Sequence, residues 1–160
     1  MTSQNNSPVR RSPCPIAFGL DLFGDKWTLL VLRDLLFYNK SRFSDFAVHE
    51  RIATNVLADR LARLEQAGVI TKAQDTELKN QKIYRVTDKG RDLLPTLIEM
   101  SLWGMRYDAQ TPVSKEFLRS IEKDEKQVVA EMTQAIESGT FEEYRIKAIG
   151  VDPKLLKINK

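Results

Sequence analysis

Residues 52–68, IATNVLADRLARLEQAG, decide how this chain is read. Leu57, Leu61 and Leu64 recur at i, i+4 and i+7, which puts them on one apolar stripe of a helix. The opposite face carries Asn55, Asp59, Ala62 and Gln66, with Val56 and Arg63 at its edge. Small and polar side chains flanked by Arg60 and Arg63 suit a groove in nucleic acid. The same pattern suits a plain amphipathic surface helix, so the neighbouring segments must decide between the two.

Upstream, NKSR at 39–42 is a turn, and Ser44 is placed to cap a short helix, SDFAVHE, with Phe43 and Phe46 turned inward. Glu50 and Arg51 make the next turn, and Gly68 is a natural residue to end the helix that follows. Two short helices joined by a tight turn, the second with a polar outer face, form a helix-turn-helix pattern. Downstream, 69–74 and 82–86 are rich in β-branched residues and Tyr around the polar segment DTELKNQ, which predicts a β-hairpin with a long tip.

The rest of the chain builds outward from this centre. Residues 1–13 read as a flexible arm, polar and containing Arg10 and Arg11. Residues 15–23 (PIAFGLDLF) form a short apolar helix that Gly24 ends. Asp25 then caps a buried helix over 26–38, with Trp27, Leu30, Val31 and Leu35 leaving little polar face. After the hairpin, Thr87 caps a helix over 88–107 that Pro95 should kink. Its apolar residues, among them Leu97, Ile98, Met100, Trp103 and Met105, exceed what one small domain's inner face needs. Residues 111–160 read as a helical C-terminal extension, with one long helix or two over 114–138 and a short one after Gly139. Its stripe of Phe117, Ile121, Val128 and Met132 suits extending a dimer, covering the core or recruiting a partner.

Composition bounds the function. The 160 residues suffice for a real core without staples. No apolar run reaches the roughly 20 residues of a membrane span, and the N-terminus lacks a signal-peptide core, so the cytoplasm is the expected compartment and no membrane partner is expected. One cysteine, Cys14, excludes an internal disulfide, and one histidine, His49, argues against a Cys/His zinc site. Neither metal nor cofactor is expected. The P-loop, nucleophile-elbow, zinc-protease and dinucleotide fingerprints are all missing, which argues against an enzyme. The net charge is only +3, but residues 40–91 hold eleven Lys and Arg against seven Asp and Glu, whereas 112–160 hold nine of each. Positive charge therefore gathers around the central helix and hairpin, where a phosphate backbone would lie.

Helix, helix, helix-turn-helix, hairpin, long helix is a winged helix-turn-helix order: mainly α with a small β wing. Cys14-Pro15, GDKWTLLVLRDLL, RFSDF, VLADRLARLEQAGVI, YRVTDKGRDLLPTL and LWG follow one another over residues 14–108. In that order and spacing they resemble the HxlR family of bacterial transcriptional regulators, of the MarR-like superfamily. The resemblance implies a winged helix-turn-helix domain over 14–110. It also implies a homodimer built on the N-terminal helix and the helix after the wing, and insertion of the helix starting near Thr54 into the DNA major groove. This chain departs from the family pattern at Ala53, Thr54 and Asn55, where a Ser cap and a basic or polar residue are usual, so the cap shifts to Thr54. Residues 112–160 lie beyond the usual family length.

Residue chemistry then names the candidates. Thr54, Asn55, Val56 and Asp59 sit nearest base edges: Asn pairs bidentately with adenine, Thr and Val touch a thymine methyl, and Asp accepts from cytosine N4. Arg60 and Arg63 are phosphate contacts or partners for acids such as Asp59. Arg42 and Ser44 lie at a helix start suited to a phosphate, and Lys79 and Lys82 on the wing suit the backbone or adjacent minor groove. Cys14, just before a helix, is positioned to gain thiolate character, and some members of the resembled family use a cysteine here to sense electrophiles or oxidants; the plainer reading is a small residue packed under the dimer interface. Trp27, Trp103 and Tyr107 suit either an effector pocket or, more simply, the core. His49 reads as a surface residue near the turn. The expected function is regulation of transcription, most simply repression, by a dimer on a palindromic operator in duplex DNA, under control of a small-molecule or electrophile effector. A winged-helix module that binds protein is the alternative.

Overall fold

The computed structural model of the chain describes residues 12–46 and 52–150. The elements follow in the order α1 (Pro15–Phe23), α2 (Thr28–Phe37), α3 (Phe43–Phe46), α4 (Thr54–Gln66), β1 (Ile70–Gln74), β2 (Lys82–Val86), α5 (Asp88–Arg91), α6 (Leu94–Tyr107), α7 (Lys115–Lys123), α8 (Glu125–Glu137) and α9 (Phe141–Tyr144), which runs into a π-helical turn at Arg145–Ile149. This is a mainly helical winged helix-turn-helix with a two-stranded antiparallel wing. Leu57, Leu61 and Leu64 are each at most 1% exposed and join Val31, Leu32 and Leu35 of α2 and Ile98 and Leu102 of α6 in one core. The leucine periodicity read from the sequence is thus the face that seats α4.

Several helix boundaries differ from the sequence reading, each for a local reason. Helix α2 starts at Thr28, two residues later than expected, and Asp25 still serves its start: its carboxylate accepts the Trp27 and Thr28 N–H groups at 2.9 and 3.1 Å and the Thr28 hydroxyl at 2.5 Å. Ser44 is not a cap, because α3 starts at Phe43. From inside the helix, the Asp45 carboxylate reaches back to accept the N–H of Arg42, the residue before α3, at 2.8 Å. Thr54 is not a cap either. Ala53, in extended backbone at φ −60 and ψ 138, precedes the helix, and among the described residues no side chain caps it. The expected kink at Pro95 is a complete break, since proline lacks the N–H that would bond to Arg91 and its ring crowds that carbonyl. Helix α5 ends at Arg91, and Pro95 sits in the first turn of α6. Asp124 divides the extension into two helices by accepting the Gln127 N–H at 3.1 Å. Arg10, Arg11 and His49 lie outside the described residues.

The wing is held from its base. Strand β1 pairs with β2 from Ile70 opposite Val86 to Gln74 opposite Lys82. The turn before α3 adds to the free side of β2, with Arg42 bridged to Ile83 and the Tyr84 N–H donating to the Ser41 carbonyl at 2.8 Å. Arg42 then reaches the hairpin tip, with Nε 2.6 Å from Asp75 and Nη2 2.8 Å from Glu77. Asp75 is buried and also accepts the Glu77 and Leu78 N–H groups at 2.8 and 3.2 Å. Behind the wing, Gly90 permits close packing of α5, because a Cβ there would collide with the Val69 carbonyl oxygen and the Val86 side chain.

The C-terminal extension packs on the same core. Phe117, Ile121, Val128, Met132, Ile136, Phe141 and Ile149 are all buried in the cluster that holds the central leucines. Phe141 meets Phe37 edge-on at 4.9 Å, and Arg145 donates to the Tyr38 hydroxyl at 2.6 Å, so the end of α2 is clasped between them. Of the three roles the stripe suits, this packing is that of covering the core.

Phe141→Ala should lower unfolding stability by about 3–5 kcal/mol, the usual loss for a buried aromatic. Chemical denaturation measures it, and a loss under about 1 kcal/mol would mean the extension is docked without depending on this ring. The wing tip carries a pH signature. The Arg42 guanidinium, with the Glu77 N–H, holds the Asp75 carboxyl at about 2 against an ordinary 3.8. A carboxyl lowered by folding stabilises the fold above its unfolded value and loses that contribution as pH falls through its folded one. The Glu77 and Leu78 amide resonances should therefore titrate with a midpoint near 2; a midpoint near 3.8 would show that the bridge does not form in solution.

Candidate nucleic-acid interface

Helix α4 is amphipathic in a way that leaves one complete face to solvent. With the three leucines buried, Thr54, Asn55, Asp59, Ala62 and Gln66 are exposed and Val56 is half-buried at the edge. Among the described residues no side chain caps the first turn, whose N–H groups and positive helix-dipole end lie beside the exposed Ala53, Thr54 and Asn55. At the other end, Gly68 takes φ +69 to turn the chain into the wing. Lys89 donates to the Ala67 carbonyl at 2.7 Å and Thr87 to the Gly68 carbonyl at 2.8 Å, so the C-terminal end of α4 is fastened to the base of the wing.

The arginines expected to meet phosphate are engaged within the protein. Arg60 Nε lies 2.9 Å from the Asp25 carboxylate, and Nη1 pairs with Asp59. Its side chain is only 19% exposed. Arg63 donates to the Asp21 carbonyl at 2.9 Å. Burial pushes the Asp25 carboxyl up, but the Thr28 hydroxyl, the Trp27 N–H, Arg60 and the Thr28 N–H together outweigh it and hold the group below its ordinary value. Arg42 is committed to Asp75 and Glu77 rather than turned to solvent. Ser44 is exposed beside Asp45. On the wing, Lys82 bonds to the Gln74 side chain at 2.6 Å, and Lys79 stands at the exposed tip. The structure adds cations that the sequence reading passed over. Lys72 and Arg85 lie exposed on the two strands, which project so far that four of the five β1 residues are exposed. The missing alternation of apolar and polar residues along β1 was the available signal. Asp75 was missed because nothing in DTELKNQ marks one acid as buried.

The remaining candidates separate into two groups. Cys14 is a free, exposed thiol in the residue that precedes α1. No residue of α1 is buried, although the helix is almost wholly apolar, and Ile16, Phe18 and Leu20 are each more than half exposed. On α6, Met100, Trp103 and Tyr107 form a second exposed stripe at i, i+3 and i+7, with the Trp103 and Tyr107 rings 5.4 Å apart. Trp103 is 64% and Tyr107 71% exposed, so neither core nor pocket describes them. Trp27 is partly buried beneath Lys26, whose Nζ lies 4.8 Å from the ring. A cleft of about 450 Å³ lies elsewhere, between the end of α2, β2 and the end of α8, and none of these three aromatics lines it. Among the described residues no helix is long and apolar enough to cross a membrane.

Comparison with known proteins agrees with the architecture. Residues 22–112 match the HxlR-like helix-turn-helix family, which is more than half of the chain. An uncharacterized HTH-type transcriptional regulator of Mycobacterium bovis is 33% identical over 88 residues, 55% of this chain and 55% of that protein, so the match spans about half the relative's length. Another, YdeP of Bacillus subtilis, is 33% identical over 95 residues, 59% of this chain and 73% of its own. Among solved structures, the transcription-factor candidate PA1607 superimposes with a TM-score of 0.59 at 37% identity, over 66% of this chain and 72% of that one. The redox regulator HypR in its oxidized form does so with a TM-score of 0.52 at 27% identity, over 58% and 96% respectively. With the seated helix, the fastened wing and this match in hand, the chain belongs to the HxlR-like helix-turn-helix family, whose relatives bear the name of transcriptional regulators.

Proposed function

We propose that this protein regulates transcription, most simply as a repressor, by binding a palindromic site in duplex DNA as a homodimer in the cytoplasm. The observation that carries the reading is α4: its apolar face is locked into the core while Thr54, Asn55, Asp59 and the uncapped first turn face solvent beside a cationic wing. That arrangement fits a helix laid in the major groove, with side chains reading base edges and the wing following the backbone. Dimerisation is supported by α1, an apolar helix without a buried residue, and by the Met100, Trp103 and Tyr107 stripe on α6. Contiguous exposed apolar surface of this kind marks an interface. A two-fold dimer presents its two reading helices one DNA turn apart, hence a palindrome with half-sites about 34 Å centre to centre.

Control through Cys14 is a second part of the proposal. The thiol is exposed at the start of the same apolar helix, so a modification there lies at the edge of the surface assigned to the partner protomer. Similarity to HypR, a redox regulator, favours this reading.

Selection from random duplex pools at two salt concentrations tests the main reading. A palindromic site should be enriched, with affinity falling steeply as salt rises. Asn55→Ala should cost about 1–3 kcal/mol and relax the preference at one base pair, while Lys79→Ala should weaken all sequences alike and flatten the salt slope by about one. Binding insensitive to salt, or no enrichment by a folded dimer, would favour a winged-helix module that binds protein. For Cys14, alkylation with N-ethylmaleimide should lower operator affinity in the wild type and leave Cys14→Ser unaffected; an unchanged affinity after full alkylation overturns the sensing role.

A further inference from the structure

Helix α4 is held on its outer flank by two arginines, Arg60 and Arg63, that the sequence reads either as phosphate contacts or as partners for neighbouring acids. Arg60 Nε lies 2.9 Å from Asp25, and its Nη1 meets Asp59 one residue back. One turn on, Arg63 Nη2 donates to the Asp21 carbonyl at 2.9 Å. Both partners belong to the same short segment, the end of α1 and the loop that leads into α2. Asp25 is itself immobilised by the Trp27 and Thr28 N–H groups and the Thr28 hydroxyl. Lys89 and Thr87 fasten the far end of the helix to the wing.

The three leucines settle which face of α4 is buried, but apolar contact is non-directional and offers little resistance to small rotations about the helix axis. Two contacts to a neighbouring segment oppose such rotation: the Arg60–Asp25 ion pair, close at 2.9 Å though Arg60 Nε is not aligned for a hydrogen bond, and the hydrogen bond from Arg63 to the Asp21 carbonyl. Base-edge recognition needs side chains placed to within a fraction of an ångström, so rotation of a reading helix erodes selectivity before it erodes electrostatic attraction. We infer that Arg60, assisted by Arg63, is a positioning residue: through Asp25 and Asp21 it sets the angular placement of α4 and hence the sequence selectivity of Thr54, Asn55 and Asp59, rather than contributing affinity through phosphate. This rests on the DNA-reading role of α4 proposed above.

Arg60→Ala, Asp25→Asn and the double variant separate the possibilities. Asn at position 25 keeps the Oδ1 acceptor of the Trp27 and Thr28 N–H groups, removes the negative charge that Arg60 faces, gives up the oxygen that accepts the Thr28 hydroxyl, and alters no cation. Each variant is compared with wild type below its own unfolding temperature, on the selected operator and on a scrambled duplex, across a salt series. A positioning role predicts that Arg60→Ala and Asp25→Asn each lower the operator-to-scrambled affinity ratio by about fivefold, the size of a partly exposed ion pair. It also predicts that the double variant is no worse than either single one, and that the salt slope stays at the wild-type value. A phosphate contact predicts instead that Arg60→Ala flattens the slope by about one and weakens both duplexes alike, with Asp25→Asn neutral or tighter; that result overturns the inference. A purely structural role lowers both affinities together and leaves the ratio unchanged, which also overturns it.

Hydrogen–deuterium exchange without DNA tests the clamp independently of any operator. The clamp predicts faster exchange across α4 in both single variants with α6 and the part of α2 beyond its first turn unchanged, and unchanged α4 exchange in both overturns it. Should wild type select no operator at all, the DNA reading fails while exchange still decides the clamp.

Discussion

Everything that gives this molecule a working face depends on the burial of Leu57, Leu61 and Leu64. Fully removing three leucines from water is worth roughly 1.5–3 kcal/mol each, far more than any contact on the exposed side of α4. The outer face therefore carries little structural duty beyond the Asp59–Arg60 pair, and Thr54 and Asn55 can be chosen for what they touch outside the protein. Ala53 fits the same division of labour. A Ser, Thr, Asp or Asn there would close the first turn onto itself, whereas alanine leaves its N–H groups pointing outward.

The electrostatics follow a common theme. Charges that a linear reading would assign to a ligand instead hold the ligand-facing elements in place. Arg42 binds the wing tip through Asp75 and Glu77, and Arg60 and Arg63 bind α4 to the segment between α1 and α2. An arginine suits this work because its planar fork donates along fixed directions. Among the described residues, Lys72, Lys79, Lys82 and Arg85 on the wing keep their charge exposed for long-range attraction, beside the N-terminal end of the α4 dipole.

Apolar surface is distributed just as unevenly. Helix α6 buries Leu94, Leu97, Ile98 and Leu102 on one side and exposes Met100, Trp103 and Tyr107 on the other, while α1 has no buried residue. The extension meanwhile covers the end of α2 and the inner side of α6, and its own apolar stripe is used up there. These two facts divide the surface: the core is closed by residues 115–149, and the apolar faces of α1 and α6 are left for the second protomer in the proposed dimer.

Much of this is legible in the sequence. The 3.6-residue recurrence of the leucines, the turn residues at 39–42, Gly68 at φ +69 and the β-branched runs flanking DTELKNQ are local signals, and local backbone preference with periodic burial is what they report. The surplus of apolar residues on α6 is visible too, though periodicity cannot say whether a stripe meets its own core or another chain. Tertiary structure decided what depends on partners distant along the chain. Arg42 and Asp75 are 33 residues apart, and Arg60 finds Asp25 only because α4 packs against α2. Pro95 marks in the sequence where the helix is interrupted, whereas the separation into α5 and α6 is visible only in the fold. Sequence alone determined which helix faces outward; the fold determined which charges remain on that face, because an ion pair exists only where two side chains are brought within reach.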